Sequence, residues 1–197
     1  LTNTGIYAGV ATATLTLTGA PLANNGYLYR VLVGGTCTPS VTSNGALLSV
    51  NQNPVITTQP ITQAACEGST VVLTVGATGT GLTYQWQKNT VDISGETSAT
   101  LTLTGVAAAT AGNFRVIVRG TCNGTGVTSS VAVLTVNEIP EITTQPVNST
   151  ICEGTNTSFT VNAGVTTVPT YQWQVSTNSG VSYSNLTNTG IYAGWSG

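Results

Sequence analysis

Histidine and methionine are absent from this 197-residue sequence, and charge is scarce: four Lys or Arg and six Asp or Glu make up 5% of the chain. Without histidine, the commonest general base and metal ligand is missing. Typical soluble domains carry about 25% charged residues. A net charge of -2, thinly spread, leaves no electrostatic footprint for nucleic acid or an anionic membrane, so neither is expected as a partner. No apolar run approaches the roughly 18 residues of a membrane-spanning segment. With neither an initiator methionine nor a signal-peptide pattern, the expectation is an excerpt or processed piece of a longer protein.

The remaining chemistry is sparse. The carboxylates are Glu67, Asp92, Glu96, Glu138, Glu141 and Glu153. Glu67 and Glu153 fall in equivalent turns, and Glu138 and Glu141 flank Pro140, so solvation of turns and a linker accounts for them. A calcium site at that linker is the sharper alternative, but no acidic loop of the DxDxDG kind supports it. The one lysine, Lys88, is replaced by Val175 at the corresponding later position, and no glycine-rich phosphate loop opens a helix after a strand. No catalytic residue, cofactor or metal is expected, and the chain is not read as an enzyme. Asn123, Asn148, Asn156 and Asn185 begin NxS/T triplets, which arise by chance in so Thr-rich a sequence.

What is present is threonine, about a fifth of the chain, and repetition. Threonine suits half-buried strands because its branched β-carbon prefers extended backbone. PVITTQP at 54–60 returns as PEITTQP at 140–146, and Cys66-Glu67-Gly68 as Cys152-Glu153-Gly154, each 86 positions on. YQWQ moves from Tyr84 to Tyr171, and TLTLTG stands at 14–19 and 100–105. YRVLVGGTC at 29–37 is echoed by FRVIVRGTC at 114–122, and LLSVN and VLTVN close units at Asn51 and Asn137. Only the stretch 54–139 holds the full order. Residues 1–53 carry the back half of a unit and 140–197 the front half. LTNTGIYAG, at 1–9 and again at 186–194, marks the point where those halves would join. It is a repeat seam rather than a functional tag.

TLTLTG, YRVLV, FRVIV, TVVLTV, VAVLTV and SFTVNA alternate or run apolar over four to six residues between Gly, Asn, Ser or Pro clusters, which predicts strands. VAAAT at 106–110 predicts one helical turn at most. The complete unit therefore reads as about seven short strands in an all-β antiparallel sandwich.

At these residues the sequence resembles the immunoglobulin superfamily, specifically the Ig-like repeats of large secreted or surface proteins of Bacteroidota-type bacteria. The resemblance implies tandem sandwiches: one complete domain flanked by two half-domains. Residues 73–79 look like the family's second strand, Tyr84-Gln85-Trp86-Gln87 like its third with the buried Trp, and 111–116 like its sixth. Two departures follow. Val75 and Val116 stand where antibody-type domains place their inter-sheet cysteines, and Phe114, without a hydroxyl, stands at the tyrosine corner, whereas Tyr29 keeps one in the first half-unit. The implied core is apolar packing of Val75, Val116 and Trp86, with Trp173 in the same role in the last unit.

Two functions of different class fit this reading. The first is structural: tandem Ig-like domains forming an extracellular or cell-surface stalk, adhesin or fibre. Proline in the short linkers 51–54 and 137–140 restricts bending between units. The expected partners are neighbouring copies of the same repeat, head to tail. Where the half-units belong to separate subunits, the front half of one is completed by the back half of the next, a heterologous contact that builds a filament. The second is a binding module for a surface glycan or protein, with Tyr183, Tyr192 and Trp195 as its candidate patch.

Cys37, Cys66, Cys122 and Cys152 are expected to be oxidised in an exported, charge-poor protein. The plain pairing is Cys66 with Cys122. The Ig resemblance instead implies that these two lie at opposite poles, so that each CEG cysteine is expected to staple its domain to the GTC cysteine of the next.

Overall fold

The computed structural model describes residues 1–192, so Trp195 lies outside the described residues. The described chain is all-β apart from two single 3-10 turns, Leu22–Asn24 and Ala108–Thr110. By contact it divides into two units, and the division runs through the middle repeat. One unit comprises Leu1–Gln63, Val72–Thr102 and Gly112–Val133; the other comprises Ala64–Val71, Leu103–Ala111 and Leu134–Gly197.

The first unit begins with six two-residue strands: β1 (Tyr7–Ala8), β2 (Thr16–Leu17), β3 (Leu28–Tyr29), β4 (Leu32–Val33), β5 (Val41–Thr42) and β6 (Ala46–Leu47). They pair antiparallel as β1 with β2, β3 with β6 and β4 with β5. Asn24 anchors this stretch: it is buried, and its amide donates to the Tyr7 hydroxyl at 3.2 Å, while the Tyr7 and Tyr29 hydroxyls lie 3.2 Å apart.

The middle repeat supplies the regular structure. Its strands are β7 (Val55–Thr58), β8 (Gln63–Cys66), β9 (Val71–Thr74), β10 (Gly76–Thr78), β11 (Thr83–Lys88), β12 (Val91–Asp92), β13 (Thr100–Leu103), β14 (Gly112–Gly120), β15 (Asn123–Thr128) and β16 (Ala132–Asn137). One sheet runs β12-β11-β14-β16-β8, with β15 also paired to β14, while β9 pairs β13 and β7 pairs β10. Strand period fixes which side chains turn inward. In β14, Phe114, Val116 and Val118 are buried in alternation, and in β9 Val71 and Leu73 are. Trp86 stands opposite Val116 in the β11–β14 register and is 0% exposed; its indole N–H donates to the Ser98 carbonyl at 3.0 Å. Leu73, Val75, Leu101 and Ala132 complete the buried apolar set of the first unit. Ser129 is also buried and fully used: its hydroxyl accepts from the Val116 N–H at 3.0 Å and donates to the Ser130 carbonyl at 2.8 Å.

In the second unit, Val71, Val106 and Leu134 are buried. The CEG turn is tied on both sides there: the Gly68 N–H donates to the Val106 carbonyl at 2.7 Å, the Val106 N–H to the Ser69 carbonyl at 3.0 Å, and the Glu67 N–H to the Asn137 carbonyl at 2.8 Å. The turn at Ala108–Thr110 is held by the Thr110 hydroxyl, which accepts from the Ala107 N–H at 3.1 Å. After Asn137 the second unit holds one hairpin, β17 (Gln174–Val175) with β18 (Ser184–Asn185), and an isolated bridge between Thr144 and Asn162.

Candidate functional site

The YQWQ motif is a hairpin clamp. In the middle repeat the Gln85 amide donates to the carbonyls of Trp86 and Ile93, both at 2.9 Å, and the Gln87 amide donates to Asp92 Oδ1 at 2.6 Å. In the last repeat the Gln172 amide donates to the carbonyls of Trp173 and Leu186, both at 3.0 Å, and the Gln174 amide to Asn185 Oδ1 at 2.8 Å. The clamps match bond for bond although the loops differ. Lys88 opposite Val91 leaves a two-residue turn at 89–90, whereas Val175 opposite Ser184 leaves eight residues at 176–183. The extra six form a polar knot about Asn178, whose Oδ1 accepts from the Ser182 N–H and whose amide donates to the Ser182 hydroxyl at 2.8 Å. Arg115 extends the middle clamp by donating to Gln87 Oε1 at 2.7 Å, giving an Arg115–Gln87–Asp92 relay in which Gln87 is buried.

Over the described residues, 1–7 of the first LTNTGIYAG and 186–192 of the second share their local contacts. Thr2 and Thr4 hydroxyls meet at 2.9 Å, as do those of Thr187 and Thr189. The Tyr7 N–H reaches the Thr4 carbonyl at 3.3 Å, and the Tyr192 N–H the Thr189 carbonyl at 3.3 Å. These first seven residues of the nonapeptide thus repeat in structure as well as in sequence.

All four cysteines are exposed and unpaired in the structure. Two of them belong to motifs that contact linker residues. Cys122 places its thiol 3.5 Å from the carbonyl of Asn51, the residue that ends the preceding unit. Cys66 precedes Glu67, whose N–H binds the carbonyl of Asn137, the residue that ends its own unit. Asn51 and Asn137 are equivalent positions of the repeat, the last residues of LLSVN and VLTVN. A GTC loop therefore touches the asparagine that ends the preceding unit, and a CEG turn touches the asparagine that ends its own. The first contact is made by a side-chain thiol and the second by a backbone N–H, and sequence spacing named neither acceptor.

The half-units leave apolar positions open. Val31 and Val33 correspond to Val116 and Val118, which are 0% exposed, yet they are 47% and 60% exposed. Phe159 corresponds to Leu73, which is 1% exposed, yet it is 51% exposed. Trp173, the counterpart of the enclosed Trp86, is half-buried. Residues 140–197 contain no counterpart of β13, β14 or β16 to cover it. It lines a cleft of about 530 Å3 with Ile142, Pro146, Val161, Pro169 and Tyr171.

For the binding reading, Tyr183 is 62% exposed on the 176–183 loop and Tyr192 is also exposed. Hydrogen bonding to Tyr29, together with partial burial, holds the Tyr7 phenol above its ordinary value of about 10. Among the described residues no three His, Cys, Asp or Glu side chains gather as a metal-holding group, so the Glu138–Glu141 linker offers no such cluster. Among the described residues no helix is long and apolar enough to cross a membrane.

Comparison with known proteins places the middle repeat. Residues 53–119 match the family model described as immunoglobulin domain. No curated protein matches the chain. Among solved structures, the titin I-band fragment I67-I69 is similar at 21% identity, over 48% of this chain and 36% of that one, with a TM-score of 0.42. Extracellular domains 3-5 of Drosophila OTK match at 19% identity over 68% of this chain and 47% of theirs, with a TM-score of 0.48. Immunoglobulin domains 1-5 of Sidekick-1 match at 20% identity over 72% of this chain and 33% of theirs, with a TM-score of 0.41. The chain thus spans about a third to a half of the length of each. These matches do not extend to the bacterial surface repeats that the sequence resembles. The middle repeat is an Ig-like domain, its match to the immunoglobulin family running over residues 53–119.

Proposed function

We propose that the chain is a segment of an extracellular stalk, adhesin or fibre of tandem Ig-like units, of the kind found in bacterial surface repeat proteins, whose linkers are braced by cysteine pairs. The observation that carries this reading is that each cysteine motif contacts the carbonyl of a linker asparagine, one at the linker before the middle repeat and one at the linker after it. The Cys122 thiol lies 3.5 Å from the Asn51 carbonyl, and the CEG turn bonds to the Asn137 carbonyl at 2.8 Å. Because those asparagines are equivalent, the CEG cysteine of one unit and the GTC cysteine of the next meet about one carbonyl. That is compatible with the roughly 7 Å limit on Cα separation in a disulfide. Two thiols join with loss of two electrons and two protons to a disulfide oxidant of the export compartment, the environment in which such bonds persist. A pair of this kind at every linker stiffens the array and leaves the sandwiches to pack as apolar cores. Scarce charge and the absence of histidine agree with a role in reach and display rather than catalysis.

Electron microscopy of the native protein tests the reading. The expected images show thin unbranched rods beaded at roughly 35–45 Å, the length of strands of about ten residues plus turns at about 3.3 Å per residue. Compact globular particles alone contradict it. The binding-module reading rests on Tyr183, and a glycan array probed with the chain is its test: reproducible binding lost in Tyr183→Ser would favour it.

A further inference from the structure

We propose that the free edge of β13 is a lateral docking site for the same strand of a second copy, so that two chains join side by side through an antiparallel pair of TLTLT segments. Among the described residues, β13 (Thr100–Leu103) of the middle domain pairs with β9 alone. The Val75 N–H donates to the Ala99 carbonyl at 3.0 Å, which sets the phase of that ladder. Backbone groups of Ala99 and Leu101 therefore face β9, and those of Thr100 and Thr102 face away from it. The Thr100 carbonyl accepts from the Ser98 hydroxyl at 2.5 Å and keeps a second lone pair. Leu101 is buried, whereas the Thr100 and Thr102 side chains are exposed.

The first unit shows the same edge in use. TLTLTG at 14–19 is the counterpart of TLTLTG at 100–105, so Thr16 corresponds to Thr102 and Thr18 to Thr104. There β1 lies antiparallel on β2 with Ala8 opposite Thr16, and the Thr18 N–H donates to the Ile6 carbonyl at 2.9 Å. In the middle domain the counterparts of Tyr7 and Val10 are Ile93 and Glu96, and both are committed to β11. The Ile93 N–H donates to the Trp86 carbonyl at 2.9 Å, and the Glu96 carbonyl accepts from the Trp86 N–H at 3.0 Å. Among the described residues, the domain has no strand of its own on the outer edge of β13.

The sequence of the edge identifies its occupant. Thr100 to Thr104 reads TLTLT in either direction, so a two-fold axis through Thr102 sets Thr opposite Thr and Leu opposite Leu. Each Thr102 N–H then meets the carbonyl of its symmetry mate, Thr100 exchanges bonds with the second copy's Thr104, and the facing threonines form favourable cross-strand pairs. Residues 97–112 hold neither charge nor proline, the devices that keep strand edges apart. The other sheet is guarded: it ends in β12, two residues long with Asp92, and in β8, which Glu67 follows. An isologous contact closes in pairs, so it joins chains laterally instead of extending them. One strand pair buries less than the roughly 1,200 Å2 of a standard interface, so a single contact is weak and reversible. Its multiplication along an array rests on the tandem-fibre reading; the contact itself needs only the middle domain.

Sedimentation equilibrium of the 197-residue chain in reducing buffer, at concentrations up to about 1 mM, tests the proposal. The expected result is a monomer–dimer equilibrium that Thr102→Pro weakens by about tenfold or more, because both central N–H bonds of the dimer are lost. The Thr102 N–H faces outward, so proline there removes no bond of the domain's own ladder. Thr102→Lys gives the same loss by setting two like charges opposite each other, and it carries the test where circular dichroism shows the proline variant misfolded. Thr135→Lys places the same charge on an exposed position of β16 and leaves the equilibrium unchanged. A monomer at every concentration, an association that persists in both Thr102 variants, or an equal loss in Thr135→Lys overturns the proposal. Each of those results leaves the stalk reading standing, because bracing at the linkers does not use this edge.

Discussion

Replacing Trp86 by alanine removes the largest fully buried side chain of the middle domain. Truncating an enclosed aromatic residue costs about 3–5 kcal/mol in lost transfer energy and residual cavity. The indole N–H bond to the Ser98 carbonyl adds little, because Ser98 is exposed and water can replace the donor. A domain of this size is stable by roughly 4–13 kcal/mol, at about 0.05–0.15 kcal/mol per residue. Trp86→Ala thus consumes about a quarter of the stability at best and all of it at worst. Urea unfolding followed by far-ultraviolet circular dichroism reads this directly. With a slope of about 1–1.5 kcal/mol per molar, the midpoint falls by roughly 3 M, or the variant is unfolded in buffer. Trp173→Ala supplies the contrast. Its ring is half-buried beside an open cleft, so no sealed cavity forms, and the midpoint of the middle domain stays within about 0.5 M of the parent. Equal losses for the two variants, or a Trp86→Ala midpoint near the parent's, would refute the assignment of Trp86 as the closed core and Trp173 as the open one.

Gln85→Ala removes both donors to the Trp86 and Ile93 carbonyls and is expected to cost about 1–3 kcal/mol, at about 0.5–1.5 kcal/mol per bond, measured in the same urea assay. The glutamate variant, which keeps the size but loses the amide donors, should be no better. The Tyr7 phenol is raised above its ordinary value by its bond to Tyr29. Its contribution to the first half-unit is therefore complete below about pH 10 and is lost as pH rises through the folded-state value. An ultraviolet phenolate titration should show a late-ionising fraction that disappears in Tyr29→Phe. Gly126 takes a φ of +83°, and a Cβ there would lie 2.9 Å from the Val118 carbonyl oxygen, so Gly126→Ala should lower the urea midpoint by more than the roughly 1 kcal/mol that a left-handed backbone conformation costs an L-residue.

Period two in TLTLTG, FRVIV and VAVLTV matched strands because each of those segments buries one face. The single turn expected in VAAAT is the 3-10 turn at Ala108–Thr110. Val55–Thr58, Gln63–Cys66, Val91–Asp92 and Asn123–Thr128 were not legible as strands, and SFTVNA, expected as one, holds only the isolated bridge at Asn162. Gln63–Cys66 and Asn123–Thr128 lack a buried alternating face, and they are extended because they pair with β16 and β14, which no local pattern encodes. The reverse happened in residues 1–51: YRVLV has the strand pattern, yet it forms only two-residue pieces, since its β11-like partner is not among them. For the candidate site, the repeats located the cysteines in turns at unit ends. The approach of their motifs to Asn51 and Asn137 depends on a thiol contact and a backbone hydrogen bond that composition and spacing do not carry.

Non-reducing peptide mapping of the native protein tests the proposed bracing of the linkers by cysteine pairs most directly. The predicted result is Cys66 linked to the GTC cysteine of the following unit and Cys122 linked to the CEG cysteine of the preceding one. Cys66 linked to Cys122 within one domain, as the main product, would contradict it.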